Sequence, residues 1–151
     1  MDALRPVDAY VPHRGAMLLI DRLLEAGPQH AVAEVTVPAD GLFVQDGAVP
    51  GWVGIEYMAQ TISAWSGHRH VAAHGAPRLG MLLGTRRYAS RVDRFPAGTV
   101  LRVEVQQEFV ADSGLGMFAC RILQDGEEVA VARLSIYEPA DGDSILRGSP
   151  P

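Results

Sequence analysis

Glu56 is the one acid in a run of otherwise apolar or weakly polar residues from Gly51 to Gly67. Trp52, Val53, Ile55, Tyr57, Met58, Ala59, Ile62, Ala64 and Trp65 surround it. A helix built from these residues has no face polar enough to lie against solvent, so the segment is predicted as a central helix from about Trp52 to about His70. If Glu56 is buried with it, desolvation raises its carboxyl into the range useful for proton transfer near neutral pH. The alternative is a carboxylate whose head reaches water at the helix edge. Gln60 follows one turn later, on the same face, where its amide can hold either Glu56 or a bound ligand.

Other reactive side chains are few. His68, His70 and His74 cluster near the helix end, but no acidic or cysteine partner completes a metal set, and histidines there suit the helix dipole or solvent. His30 is expected to be exposed beside a turn. Cys120 is the only cysteine, which rules out an intramolecular disulfide and fits a small buried hydrophobe. All 13 basic residues are arginine, so Schiff-base and phosphate-loop lysine chemistry are excluded. Four of them, Arg86, Arg87, Arg91 and Arg94, surround Tyr88 and form either a docking patch for an acidic partner or a solvated strand face. The net charge of −5 argues against nucleic-acid binding.

The elements that must position Glu56 follow from pattern. At 151 residues the chain is read as one domain over residues 1–139, with a flexible tail over 140–151 rich in Gly, Asp, Ser and Pro. No apolar run is long enough to span a membrane and the first residues lack a signal peptide's pattern, so a cytoplasmic protein is expected. A short helical turn is predicted at Pro12, followed by strands over Leu18–Leu24 and Ala31–Val37 and a loop over 38–50. Leu79–Leu83 is read as an inner strand. Val100–Val110 has a clear two-residue period, with Leu101, Val103, Val105 and Phe109 on one face. Asp125-Gly126 marks a tight hairpin between Met117–Leu123 and Glu128–Tyr137. The expected fold is α+β, an antiparallel sheet wrapped around one long helix, with exposed sheet edges that favour a dimer.

Several motifs lie in order along residues 10–137. They are Pro12-His13-Arg14, Met17-Leu18-Leu19-Ile20-Asp21-Arg22, Pro50-Gly51 leading into Ile55-Glu56-Tyr57-Met58-Ala59-Gln60, and Arg94-Phe95-Pro96-Ala97-Gly98. Together they resemble the hotdog-fold 3-hydroxyacyl-[acyl-carrier-protein] dehydratases. The shorter loop and Pro50-Gly51-Trp52 most resemble the dehydratase-like subunits of aryl polyene pigment biosynthesis. The resemblance implies that Glu56 is the family's catalytic acid and Gln60 its companion one turn later. It also implies a loop histidine acting across a dimer interface, and that histidine is missing: Phe43 to Gly51 is short and contains no His. Dehydration requires one group to remove the proton next to the carbonyl and another to protonate the leaving hydroxyl. Glu56 supplies one.

Candidates for the second are His13, whose expected role is otherwise structural or tunnel-lining, Asp46, which otherwise serves the turn, and a histidine from a partner chain. The last is favoured, as a heterodimer with a His-bearing dehydratase homologue, the homodimer being the alternative. Amides near Gly51 are candidates to hold the thioester oxygen, Trp52 and Gln60 to contact substrate, and the arginine cluster to dock an acyl carrier protein. No metal or other cofactor is implied. The competing functions are hotdog thioester hydrolysis and a non-catalytic scaffold that binds acyl chains.

Overall fold

The computed structural model describes residue 4, residues 6–74 and residues 81–137, with backbone alone for 70–74, 81–83 and 86. The predicted tail over 140–151 and the first two residues of the strand predicted from Leu79 lie outside the described residues. Among them, eight strands and one long helix follow in the order β1 (Arg22–Ala26), β2 (His30–Thr36), β3 (Ala48–Pro50), α1 (Gly54–His74), β4 (Met81–Ser90), β5 (Arg94–Pro96), β6 (Val100–Val110), β7 (Leu115–Gln124) and β8 (Glu127–Tyr137). Single 3-10 turns cover Val7–Ala9, Gly15–Met17 and Gly51–Val53.

Six strands form one antiparallel sheet in the order β1-β2-β6-β7-β8-β4, and β3 pairs with β5 in a separate ribbon. Helix α1 packs against β1, β2, β6, β7 and β8. This is the hotdog arrangement. Alternation explains the packing: Ala31, Ala33, Val35 and, just beyond β2, Val37 are buried, as are Leu101, Val103 and Val105 of β6 and Phe118, Cys120 and Ile122 of β7. They meet Val53 of the turn before the helix and Tyr57, Met58, Ile62, Ala64 and Trp65 of the helix in one core. Trp65 also donates its indole N–H to the Gly27 carbonyl (2.9 Å) and packs edge-on against Phe118. Among the described residues, no helix is long and apolar enough to cross a membrane.

Four expectations are corrected. Phe109, expected on the apolar face of β6, is exposed, because the ladder with β7 slips between Gln107 and Phe109 and turns the strand end over. The strand after the helix is no inner strand within this chain. It extends to Ser90 and pairs with β8 only, at the edge of the sheet. The loop over 38–50 ends in the short strand β3, and the strand predicted from Leu18 begins at Arg22. The Asp125-Gly126 turn is as read: both residues have positive φ, 54° and 78°, as a primed turn requires.

Candidate active site

Pro50 and Gly51 turn the chain from β3 into the helix. The Gly51 N–H donates to the Asp93 carbonyl (2.7 Å), and the Gly51 carbonyl accepts from the Tyr88 hydroxyl. A side chain at Gly51 would lie 2.7 Å from the Val92 carbonyl oxygen, so glycine is required for this close approach. The Gly51 amide is therefore engaged within the fold.

Glu56 lies two residues into α1 and is not buried: its side chain is 36% exposed. The helix is apolar nearly all round, but this face is covered by the thin segment Pro12–Leu19 rather than by the sheet, so the carboxylate reaches the edge. Its neighbours come from that segment and from the next helical turn. His13 brings Nε2 to 3.9 Å from Glu56 Oε1, an approach rather than a hydrogen bond. Gln60, fully buried, donates from Nε2 to Glu56 Oε1 (3.2 Å) and to the Met17 carbonyl (2.8 Å), and its Oε1 accepts from the Leu19 N–H (2.8 Å). Both amide hydrogens are thus used: of the two roles expected for Gln60, the structure shows its amide holding the carboxylate and tying the Gly15–Met17 turn to the helix. Arg14 fixes the chain just before, donating from one guanidinium nitrogen to the carbonyls of Val11 (2.6 Å) and His13 (2.7 Å).

The structure therefore brings Glu56, His13 and Gln60 together. Asp46 sits in the loop with φ of 52°, which matches turn chemistry. Trp52 is 60% exposed and meets Phe43 edge to face at 5.7 Å; with exposed Leu42 and Met17, the chain presents several large apolar side chains to solvent. Arg87, Arg91 and Arg94 are exposed, and Arg94 pairs with Pro50 across β3 and β5, so this end of the cluster adjoins the helix start. Arg86 lies in β4, its side chain outside the described part. His68 packs edge-on against Tyr10, while the side chains of His70 and His74 lie outside the described part. Among the described residues, no group of three His, Cys, Asp or Glu side chains is placed to hold a metal.

Sequence reasoning missed Tyr88 and Tyr57. Tyr88 clamps the Pro50-Gly51 turn, and burial raises its hydroxyl. Tyr57 lines a cavity of about 220 Å³ with Leu18, Leu19, Asp21, Phe43 and Val49. Burial first, then the nearby Asp21 and Tyr88, push its phenol up to about 12, so it remains a proton donor at neutral pH. Its position directly after Glu56 gave no signal distinct from a core aromatic. Cys120 is buried, and burial followed by Glu108 pushes its thiol up to about 12, as suits an inert core residue.

The family model of the ApeP-like proteins, described as ApeP dehydratase, matches residues 5–147. Among solved structures, the dehydratase heterocomplex ApeI:P from Xenorhabdus doucetiae is similar at a TM-score of 0.86 and 34% identity, over 98% of this chain and 100% of that one. A hypothetical thioesterase with coenzyme A from Streptococcus pneumoniae is similar at a TM-score of 0.58 and 15% identity, over 78% of this chain and 84% of that one. The PaaI protein from the phenylacetic acid degradation operon of E. coli reaches a TM-score of 0.58 at 14% identity, over 76% and 80%. These last two share the fold alone. No curated protein matches the chain significantly. The family model spans nearly the whole sequence, and the Glu56 helix and the Pro12–Leu19 segment lie within the matched region, so the chain belongs to the ApeP-like dehydratase family.

Proposed function

We propose that this chain is one subunit of a heterodimeric dehydratase that removes water from 3-hydroxyacyl thioesters carried on an acyl carrier protein, in aryl polyene or related fatty-acid-like synthesis. The observation that carries this reading is a Glu56 carboxylate held at its inner oxygen and open to solvent beyond, in a chain whose 41–50 loop supplies no histidine. Elimination breaks a C–H bond next to the carbonyl and the C–O bond of the hydroxyl, and releases water. Each departing group needs its own proton-transfer partner. Glu56 serves one of them, and a histidine from the second subunit serves the other. The similarity to a structure described as a dehydratase heterocomplex supports the pairing.

The exposed Trp52 and the free edge of β4 are consistent with a surface covered in the assembly. Arg87, Arg91 and Arg94 form the docking face for the acidic carrier protein beside the helix start, where electrostatic attraction would speed encounter.

Native mass spectrometry of this chain mixed with a His-bearing hotdog dehydratase of the same pathway tests the assembly, and the mass of the carried acyl group tests the chemistry. A one-to-one complex that removes 18 Da, the mass of water, from 3-hydroxyacyl-carrier protein is expected. Free acid and free carrier thiol would identify thioester hydrolysis instead, and an unchanged acyl group would identify a scaffold.

A further inference from the structure

The hydrogen-bond accounting around Glu56 distinguishes its two oxygens. The orientation of the Gln60 amide is fixed by its backbone partners: the Leu19 N–H must face oxygen, and the Met17 carbonyl must face nitrogen. The second Nε2 hydrogen then points at Glu56 Oε1.

His13 is constrained in the same way. Its Nδ1 is sealed from solvent and meets no hydrogen-bond partner among the described residues, whereas Nε2 faces Glu56 Oε1. A neutral imidazole carries one N–H. Placing it on Nδ1 would bury a donor with nothing to receive it, which folded proteins avoid more strictly than an unused acceptor. The Nε2–H tautomer instead directs the proton toward a carboxylate. Arg14 holds this arrangement by gripping the carbonyls on either side of Pro12.

We propose that Glu56 Oε1 is an anchored oxygen facing two donors, that proton transfer runs through Oε2 alone, and that His13 and Gln60 are positioning residues rather than proton-transfer groups. With its proton already on Nε2 and its other nitrogen sealed, His13 has no free lone pair to offer a substrate. The second proton-transfer group must therefore lie outside this segment. The inference rests on the reading of Glu56 as the dehydratase carboxyl.

The test has two independent parts. The first needs no turnover: ¹⁵N spectra of the histidine-labelled chain, with the His13 signals assigned by loss in His13→Gln, report which nitrogen carries the proton. Protonation at Nε2 with a bare Nδ1 is expected at neutral pH, and an Nδ1–H tautomer would overturn the proposal.

The second uses the complete complex and 3-hydroxyacyl-carrier protein, with kcat and KM followed across pH for the parent, Glu56→Gln, His13→Gln and His13→Ala. His13→Gln places an amide N–H near the Nε2 position, so kcat within about threefold of the parent and an unchanged set of ionisations are expected. His13→Ala removes the N–H that faces the carboxylate and should lower kcat about tenfold, with KM little changed. Loss of more than a hundredfold in His13→Gln together with one limb of the pH profile would show that His13 transfers a proton. Full activity in Glu56→Gln would instead remove the underlying reading, whatever tautomer the spectra show.

Discussion

Replacing Gly67 with alanine sets two known effects against each other. In a helix interior, glycine to alanine is worth about 0.8–1.0 kcal/mol of added stability through propensity. Here, however, the new Cβ would stand 2.6 Å from the Tyr10 carbonyl carbon and 2.9 Å from its Cα, with the carbonyl oxygen nearer still. Carbon atoms pack at roughly 3.5–4.0 Å, and the obstacle is backbone, so the whole Val7–Val11 segment must retreat. That segment buries Val7, Tyr10 and Val11 against the helix. Overpacking of this kind costs about 1–3 kcal/mol, and partial loss of three buried side chains adds to it. We expect net destabilisation of about 2–4 kcal/mol, or a Tm lowered by roughly 4–16 °C for a domain of this size. Thermal unfolding followed by circular dichroism reads it directly. Because the segment continues into His13, the same variant should also weaken activity in the complex. A Tm raised by 2–4 °C, the propensity effect alone, would refute the docking of Tyr10 on Gly67 and with it the placement of His13.

Gln60→Met keeps the volume but removes three hydrogen bonds, leaving the Leu19 N–H and Met17 carbonyl without their partner; a loss of about 2–4 kcal/mol is expected in chemical denaturation. Trp65→Phe keeps the contact with Phe118 but loses the bond to Gly27, and should cost about 1–2 kcal/mol in the same assay. Both Cys120 and Tyr57 carry protons in the folded state to about pH 12 but release them near 9 and 10 when unfolded, so the unfolded chain binds fewer protons over that interval and stability falls as pH rises from about 9 to 12. Denaturation curves should show that decline, and Cys120→Ala should lessen it. Glu104 behaves oppositely: burial alone would raise its carboxyl, but Arg102 and Arg121 outweigh it and hold it low, so its contribution is present above the ordinary glutamate range and disappears as pH falls through its lowered value. Glu104→Gln should flatten the acid side of the stability profile.

Where long-range pairing and side-chain alternation coincide, the sequence is informative. The strict period of β6 and the Asp125-Gly126 hairpin locate the sheet centre, and the apolar run after Gly51 locates the helix. Short elements are different. β3 and β5 are three residues each and contain Pro50 and Pro96, so neither has a local strand signal; they exist because Gly51 and the Arg94 strand are brought together from afar. The fate of Phe109 depends on a bulge, which a one-residue slip creates without altering composition. Glu56 and Gln60 were legible as a pair from their spacing, but the exposure of the one and the complete engagement of the other were not. Both follow from the Pro12–Leu19 segment crossing the helix, a contact separated by more than 40 residues in sequence. His13 stood out as a motif member, yet only its placement beside Glu56 distinguishes it from a loop histidine.

The most direct test of the composite dehydratase is to replace Glu56 with glutamine in this chain alone, assemble it with the unaltered His-bearing subunit, and follow the acyl mass on 3-hydroxyacyl-carrier protein. The account predicts that the variant complex assembles normally and that water loss falls by at least a hundredfold, because glutamine keeps the volume but cannot exchange the proton. An assembled variant complex that dehydrates at the parent rate would contradict it.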